Sequence, residues 1–407
     1  MTTTTVSGTV GRAISAATVR ELLDEVERIR PTLAEHAARA EAERRLTDEA
    51  WRAMVGAGLF TMSAPAAYGG LELPITDVMR VWEAIARIDS AAAWNLIMTS
   101  CLAGCAAFLP PEGAQELFAN GPTTVAGALF PPGRAVRTDG GWRVTGRVPF
   151  TSGCHHATWC AMPALVMDGD APRIDPATGG PTTLGVFLPR ADVRIHDTWH
   201  TMGMRGTGSA DISADDVFVP DRRAMVVRQL TDPAPGFEGP LYRMFPFVNI
   251  VGEAVVSVGV AAAAVEEFAR VARTKTPAYQ TIPLREQQLA QFAVGRAKAR
   301  VEAARDTLHC AAREAYDELT GNRALLSWDA KIRLQLATSF AAEACAEAVR
   351  LVHDAAGGGA IRLEQPFERY LRDSHTMTQH ASKASPRYAS VGRLLFGLDN
   401  DWVWLSF

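Results

Sequence analysis

The sequence predicts an α+β multidomain protein laid out as helices, then strands, then helices. Three observations predict it. Apolar residues recur at helical spacing as far as about residue 122, short β-branched segments take over from residue 123, and long helical periods return after a Pro- and Gly-rich loop. The implied organisation is a helical domain over 1–122, a β domain over 123–238 and a four-helix domain over 239–407. A chain of 407 residues is too long for one simple core and long enough to need no covalent staples.

Residues 20–53 are rich in Ala, Glu, Arg and Leu at helical spacing, with Thr47 and Asp48 able to cap a helix that opens at Glu49. PAAYGG (65–70) ends that region, and a second helical stretch over 75–118 is interrupted by Pro110-Pro111. VAGALF, AVRTDGGWRVTGRVPF, TWCAMPALVM, TTLGVFLP, VRIHDTWH and ADDVFVP then read as strands separated by Gly, Pro and Asp turns, with GGWRVTGRVPF as the second arm of a hairpin. After the loop at 232–240, segments 252–274, 284–319, 327–356 and 366–396 have the lengths of a four-helix bundle. The apolar run 248–265 is long enough to be tested as a membrane span, but Glu253 interrupts it and Glu266-Glu267 follow, so a buried bundle helix is expected.

Nearly half of the residues are hydrophobic and the formal net charge is −4, a balance that favours neither nucleic acid nor an anionic membrane surface. A small-molecule partner is expected. Cys101, Cys105, Cys154, Cys160, Cys310 and Cys345 form no paired framework, and MTTTTVSGTVGRA lacks a basic then apolar leader, so a reducing cytoplasm is the expected setting.

VPFTSGCHHATWC (148–160) offers Cys154, His155, His156 and Cys160 within seven residues, which invites zinc. Zinc needs side chains converging on a tetrahedron, whereas consecutive strand residues point to opposite faces; no metal site is expected. For the two histidines, one packed and one exposed competes with a substrate-contacting role.

Four stretches, LF..SAPAAYGG, GRVPFTSGCHHATW, WHTMGMRGTGSADISADDVFVP and RYLRDSHTMTQH, in this order on the α, β and α segments, make the chain resemble the acyl-CoA dehydrogenase superfamily along nearly its whole length. More narrowly it resembles that superfamily's flavin-dependent monooxygenases, the oxygenase components of two-component systems. The resemblance implies a middle β-barrel, a C-terminal four-helix bundle and a homotetramer. It implies reduced FAD or FMN delivered by a separate flavin reductase, O2 as co-substrate, a C4a-hydroperoxyflavin, and oxidation of a small aromatic or heterocyclic substrate of secondary metabolism.

By the same resemblance Phe150, Thr151, Ser152 and Gly153 lie against the flavin ring. A flat aromatic suits the ring, and a short hydroxyl or a backbone N–H suits N5. Arg205, Thr207 and Ser209 of RGTGS are placed beside the flavin, an ordinary turn being the alternative. Gly357, Gly358 and Gly359 are placed at a flavin phosphate, with a helix cap as the alternative. Arg273, and with it Lys275, matches a phosphate-binding cation, an exposed basic helix end being the alternative. Trp94, Trp199 and His156 are placed toward substrate.

Many acyl-CoA dehydrogenases carry a catalytic glutamate after Arg-Asp, at the place of Ala381 here, and alanine cannot abstract a proton. The monooxygenases instead have a Gln-His pair, present as Gln379-His380, and a histidine titrates near neutrality. His380 and Ser152 are therefore the expected catalytic residues, with helix packing as the alternative for His380. Some dehydrogenases take their base from an earlier helix; the matching place falls nearer Asn249 than Glu253, which leaves Glu253 a polar-network residue. A second histidine found on the N-terminal helix of aromatic hydroxylases would fall near Leu102, where there is none. No GxGxxG follows a strand, in agreement with an external reductant.

Overall fold

The computed structural model describes residues 5–121, 123–227, 233–321 and 325–406, and side chains from residue 17 onward. Residue 122 at the first expected domain boundary, the start of the 232–240 loop and the first residues of the expected leaderless N-terminus lie outside it.

Helix α1 (Thr5–Glu43) buries Val19, Leu22, Val26, Ile29, Leu33, Ala37 and Ala40, steps of three and four that lay one apolar stripe along it. Thr47 caps α2 (Asp48–Gly56) as expected, its hydroxyl accepting from the Ala50 N–H at 3.2 Å. α3 (Ile75–Ala86) leads to α4 (Ser90–Ala103), which is capped by Asp89 and buried on nearly every side. α5 (Pro111–Phe118) opens on Pro111, a residue suited to a first helical turn.

Among the described residues nine strands form one mixed sheet: β1 (Val125–Gly127), β2 (Gly133–Thr138), β3 (Gly141–Val148), β4 (Trp159–Asp168), β5 (Ala171–Pro172), β6 (Thr183–Pro189), β7 (Arg194–His196), β8 (Asp211–Pro220) and β9 (Ala224–Val226). The order is β7-β8-β3-β2-β4-β6-β9, with β1 and β5 also on β4. β2 and β3 are the expected hairpin, turning at Gly140 with φ +70°. Alternate residues Cys160, Met162, Ala164 and Val166 of β4 meet Leu184, Val186 and Leu188 of β6 and Ile212 and Ala214 of β8 in one core, so the sheet folds over its own apolar face. Among the described residues the pairings run as an open path from β7 to β9 and not as a closed ring.

The C-terminal part comprises α6 (Pro240–Arg243), α7 (Phe247–Ala272), α8 (Gln288–Thr320), α9 (Trp328–Ala356), α10 (Pro366–Thr378) and α11 (Pro386–Leu395). α7, α8 and α9 pack on one another and α10 packs on α7 and α9. The expected single helix over 366–396 is broken at 379–385, where His380, Ser382 and Lys383 leave the helical ladder and become free to turn inward. The apolar length of α7 is explained by its setting, since its continuous run from Ile250 to Val265 is buried throughout. One continuous core joins α1–α4 to α7–α10.

α7 approaches α3 closely at Gly259, where an added methyl would sit 2.5 Å from Ala86 Cβ and 2.9 Å from the Glu83 carbonyl oxygen. Gly259→Ala is expected to destabilise the fold by about 1–3 kcal/mol through overpacking. Gly295→Ala in α8, where a Cβ meets nothing within 4 Å, is expected to gain up to about 1 kcal/mol of helix propensity. Urea unfolding of the two variants against the parent checks both signs.

Candidate active site

The turn after β3 is bonded to the loop before β8. Phe150 takes φ +58°, a left-handed backbone unusual for a bulky residue, and redirects the chain. Thr151 N–H then donates to the Ala210 carbonyl at 3.1 Å and Gly153 N–H to the Thr207 carbonyl at 3.2 Å. Gly153 sits at φ +75°, and a Cβ there would lie 2.7 Å from Thr99 Cγ2, so only glycine lets the turn rest on α4.

These bonds bring the buried Ser152 into a line of hydroxyls. Ser152 Oγ lies 2.7 Å from Ser209 Oγ, which lies 2.6 Å from Thr207 Oγ1, which donates to the Met204 carbonyl at 2.8 Å. The Trp94 indole N–H donates to Ser152 Oγ at 3.0 Å. Met204 itself is left-handed, φ +53°; its N–H donates to Asp373 Oδ1 at 2.5 Å and its carbonyl accepts from Trp199 Nε1 at 3.1 Å. Asp373 also accepts from Ser90 Oγ at 2.6 Å, and burial pushes its carboxyl up to about 6. Next to it Arg372 donates to the Met202 carbonyl at 2.6 Å and pairs with Glu41 at 2.5 Å. The Arg-Asp pair of α10 thus clamps the Gly-rich loop.

His380 packs edge-on to Trp94, with ring centroids 5.6 Å apart. Its Nδ1 lies 3.0 Å from Glu253 Oε2 and 2.8 Å from Ser382 Oγ, and Ser382 Oγ also bonds Glu253. Glu253 is wholly buried and takes a further bond from Asn249 Nδ2 at 2.9 Å. Burial pushes the Glu253 carboxyl up, but His380, Lys383 and Ser382 together outweigh it and hold the group below its ordinary value. Lys383 is buried as well, with Nζ donating to the Glu253 carbonyl at 3.0 Å and lying 4.9 Å from the centre of the Trp94 ring. Burial pushes its amine down to about 8. Gln335 Nε2 supports the segment from behind, donating to the Ser382 carbonyl at 2.7 Å while its Oε1 accepts from Trp402 Nε1 at 3.0 Å.

With Nδ1 committed to a carboxylate, Nε2 is the nitrogen His380 has left for chemistry. Glu253, Ser382 and Lys383 are the functional residues that the sequence reading underweighted or missed. A serine and a lysine two and three places after His380 were the available signal, and their burial is a tertiary fact.

The residues suit a planar aromatic cofactor. Phe150 presents an apolar ring that is 68% exposed, edge-on to Trp199 at 6.0 Å, and beside the Ser152–Gly153 turn the buried amide of Asn95 has no hydrogen-bond partner among the described residues. Phe150, Thr151, Ser152, Gly153, Thr207, Ser209, Trp94, Trp199 and His380 are all brought together. Arg205 is not: its Nε donates to the Glu41 carbonyl at 3.3 Å, on the α1 side of the loop. Arg273 follows α7, twenty residues beyond Glu253 and so about 30 Å along the axis. Near that end Lys275 Nζ donates to the Ala356 carbonyl at 2.5 Å, next to Gly357, Gly358 and Gly359. Gly357, at φ +68°, caps α9 by donating to the Asp354 carbonyl.

His156 turns away from the site. It stacks on Trp51 at 5.1 Å and its Nε2 lies 3.1 Å from Asp48 Oδ1, which corrects the expected substrate contact. His155 lines a depression with Arg44, Arg45, Arg190 and Trp199, where burial first and then Arg45 push it down to about 4. Neither histidine is freely exposed. Cys154 Sγ points to the Gly208 carbonyl at 3.5 Å, and among the described residues no three His, Cys, Asp or Glu side chains are grouped to hold a metal.

The family described as acyl-CoA dehydrogenase, N-terminal domain, matches residues 16–110, and acyl-CoA dehydrogenase, C-terminal domain, matches residues 251–384. A pigment production hydroxylase of a Rhodococcus species is 31% identical over 89% of this chain and 92% of its own length. Indole-3-acetate monooxygenase of Pseudomonas putida is 30% identical over 84% of each chain. Among solved structures, XiaF from a Streptomyces species, in complex with FADH2 and glycerol, superposes with a TM-score of 0.88 at 27% identity, covering 96% of this chain and 98% of that one.

Burial pushes the Cys105, Cys154, Cys160 and Cys345 thiols up to about 12 and Cys101 well above its ordinary value, while Cys310 is partly exposed. At pH 8 a thiol near 12 is thiolate about once in ten thousand molecules. A disulfide reagent is expected to titrate one thiol rapidly in the native protein and all six after denaturation; rapid reaction of a second native thiol would overturn this burial pattern.

Proposed function

The chain belongs to the acyl-CoA dehydrogenase family, in its flavin-dependent monooxygenase branch, and from that premise we propose a specific division of labour between Ser152 and His380. It is the oxygenase component of a two-component system that takes reduced flavin from a separate reductase and uses O2 to oxidise a small molecule. The reading is carried by one observation: Trp94 holds Ser152 by its N–H while its ring faces a histidine backed by a buried carboxylate.

Reduced flavin supplies the two electrons with which one atom of O2 enters the substrate and the other leaves as water. Ser152 Oγ is the hydroxyl available to N5 of that cofactor, and Phe150 supplies a flat apolar contact. His380 Nε2 takes or gives the substrate proton, and Glu253 stabilises the imidazolium that results. Lys383 offsets the Glu253 charge. Ala381 leaves no carboxylate where a thioester dehydrogenase carries its base, and Glu253 is engaged by His380, Ser382 and Asn249.

A small aromatic or heterocyclic substrate of secondary metabolism suits the aromatic walls formed by Trp94, Trp199 and Phe150, and the indole acid processed by one relative is of this kind. Closure of the sheet into a barrel, a C-terminal four-helix bundle, domain limits at 122 and 238, cytoplasmic residence and a homotetramer complete the proposal. The tetramer is supported by the roughly 30 Å of α7 between Glu253, which backs His380, and Arg273 at its far end, where Lys275 and Gly357–Ile361 also lie, a span that leaves that region to a neighbour's cofactor.

His380→Ala is expected to keep reduced-flavin affinity within about twofold while lowering product yield by roughly a hundredfold, with O2 diverted to H2O2. Glu253→Gln should lose about tenfold, and the double variant should be no worse than His380→Ala alone, because Glu253 acts through the histidine. Coupled product and peroxide assays check all three; additive losses would separate Glu253 from His380. Rapid mixing of protein and photoreduced flavin with O2 should show a transient flavin absorbance, and its absence, with bleaching of bound yellow FAD by an acyl thioester, would reject the reading.

A further inference from the structure

One residue of the Cys-His-His motif is left unused by the reaction. His155, next to the packed His156, projects into a depression of about 400 Å³ that Arg44, Arg45, Arg190, Ile195 and Trp199 also line. Its ring has room there because Gly208, at φ +55°, carries no side chain; an added Cβ would lie 2.9 Å from His155 Cδ2. Two of the arginines come from the end of α1, where Arg44 takes the left-handed conformation, φ +56°, that glycine usually fills, and Arg45 follows on the rim.

The charges around this depression do not balance. Arg44 and Asp197 satisfy one another through two bonds of 2.5 and 3.0 Å. Glu43 is committed to Arg39 at 2.6 Å, and the Arg45 guanidinium, 3.9 Å from the other Glu43 oxygen, makes no hydrogen bond among the described residues. Arg190 is half-buried, yet its guanidinium bonds the Cys154 and Val193 carbonyls, at 2.7 and 3.2 Å, and meets no carboxylate within 4 Å among the described residues. The half-buried His155 ring has no hydrogen bond among the described residues on either nitrogen, and polar groups withdrawn from water without partners are costly. Burial, Arg45, His156 and Arg190 all disfavour its imidazolium, with Asp197 opposing, so the surroundings are positive in sign.

Two guanidinium groups without close anions and an unpaired imidazole, beside an indole and an isoleucine, make a receptor for a flat anion. We propose that this depression binds a small aromatic carboxylate, its oxygens on Arg45, Arg190 and His155 and its ring on Trp199. The planar guanidinium fork matches a carboxylate, and a neutral imidazole still donates one N–H. Trp199 also meets Phe150 edge-on at 6.0 Å, so the subsite adjoins the reaction chamber through one shared side chain. Binding there needs neither flavin nor O2.

Calorimetric titration of the flavin-free protein with benzoate at pH 7 should give saturable binding with a dissociation constant of about 1 mM or below. Arg45→Met, a change at an exposed side chain, should weaken it about tenfold, the worth of a charge-assisted hydrogen bond, and His155→Leu should weaken it about fivefold. Acetate, which lacks the ring, should bind about tenfold more weakly than benzoate. The proposal is overturned if the parent shows no saturable benzoate binding, if Arg45→Met binds benzoate as the parent does, or if acetate binds as well as benzoate. Loss of binding in His380→Ala but not in Arg45→Met would put benzoate in the reaction chamber and overturn it too. With no flavin or O2 present, each of these outcomes leaves the oxygenase reading standing.

Discussion

The molecule is organised around one buried indole. α4 is enclosed on nearly every side, so each polar atom it carries must find a partner within the protein or remain unsatisfied. Trp94 meets that demand by donating to Ser152 on the strand segment, and its ring lies against His380 and Lys383 of the C-terminal segment. Three stretches far apart in the chain are thereby held to one another, and the gap between hydroxyl and imidazole is set by an aromatic of fixed size. Asn95, the next residue, meets no such partner, and that is the contrast expected of a wall that borders a ligand.

Charge burial is the second constraint. Removing Glu253 and Lys383 from water costs several kcal/mol per ion unless each is compensated. The carboxylate receives His380, Ser382 and Asn249, and the amine receives a carbonyl and an aromatic face. A carboxylate so provided for fixes an imidazole without competing for the substrate. On the opposite side Asp373, kept high by burial, fastens the left-handed Met204, and the direction of the whole hydroxyl line depends on that one carbonyl being held in place.

Much of this was legible in the sequence. Periodicity marked the α, β, α order, Thr47 marked its helix start, and FTSG, RGTGS and the Gln-His pair marked elements that do converge. Where the reading failed, the missing information was three-dimensional. Arg205 sits in the right loop but projects to α1, in a single turn, Arg205–Thr207, whose flanking residues Met204 and Gly208 are both left-handed. His156 lies in the right motif but is held by Trp51 and Asp48 of α2, a pairing across about a hundred residues that no local pattern reports. Glu253 is the polar-network residue expected, and its histidine partner reaches it because the break at 379–385 divides what periodicity presents as one helix.

That break has a further consequence through Gln335. Its two amide ends span from the Ser382 carbonyl to the Trp402 indole, so the last short turn of the chain, Val403–Ser406, is two hydrogen bonds from the segment that seats the imidazole. The tail is thus wired to the reaction chamber, and a bulky tag fused there would be felt as altered chemistry in a fold that otherwise remained intact.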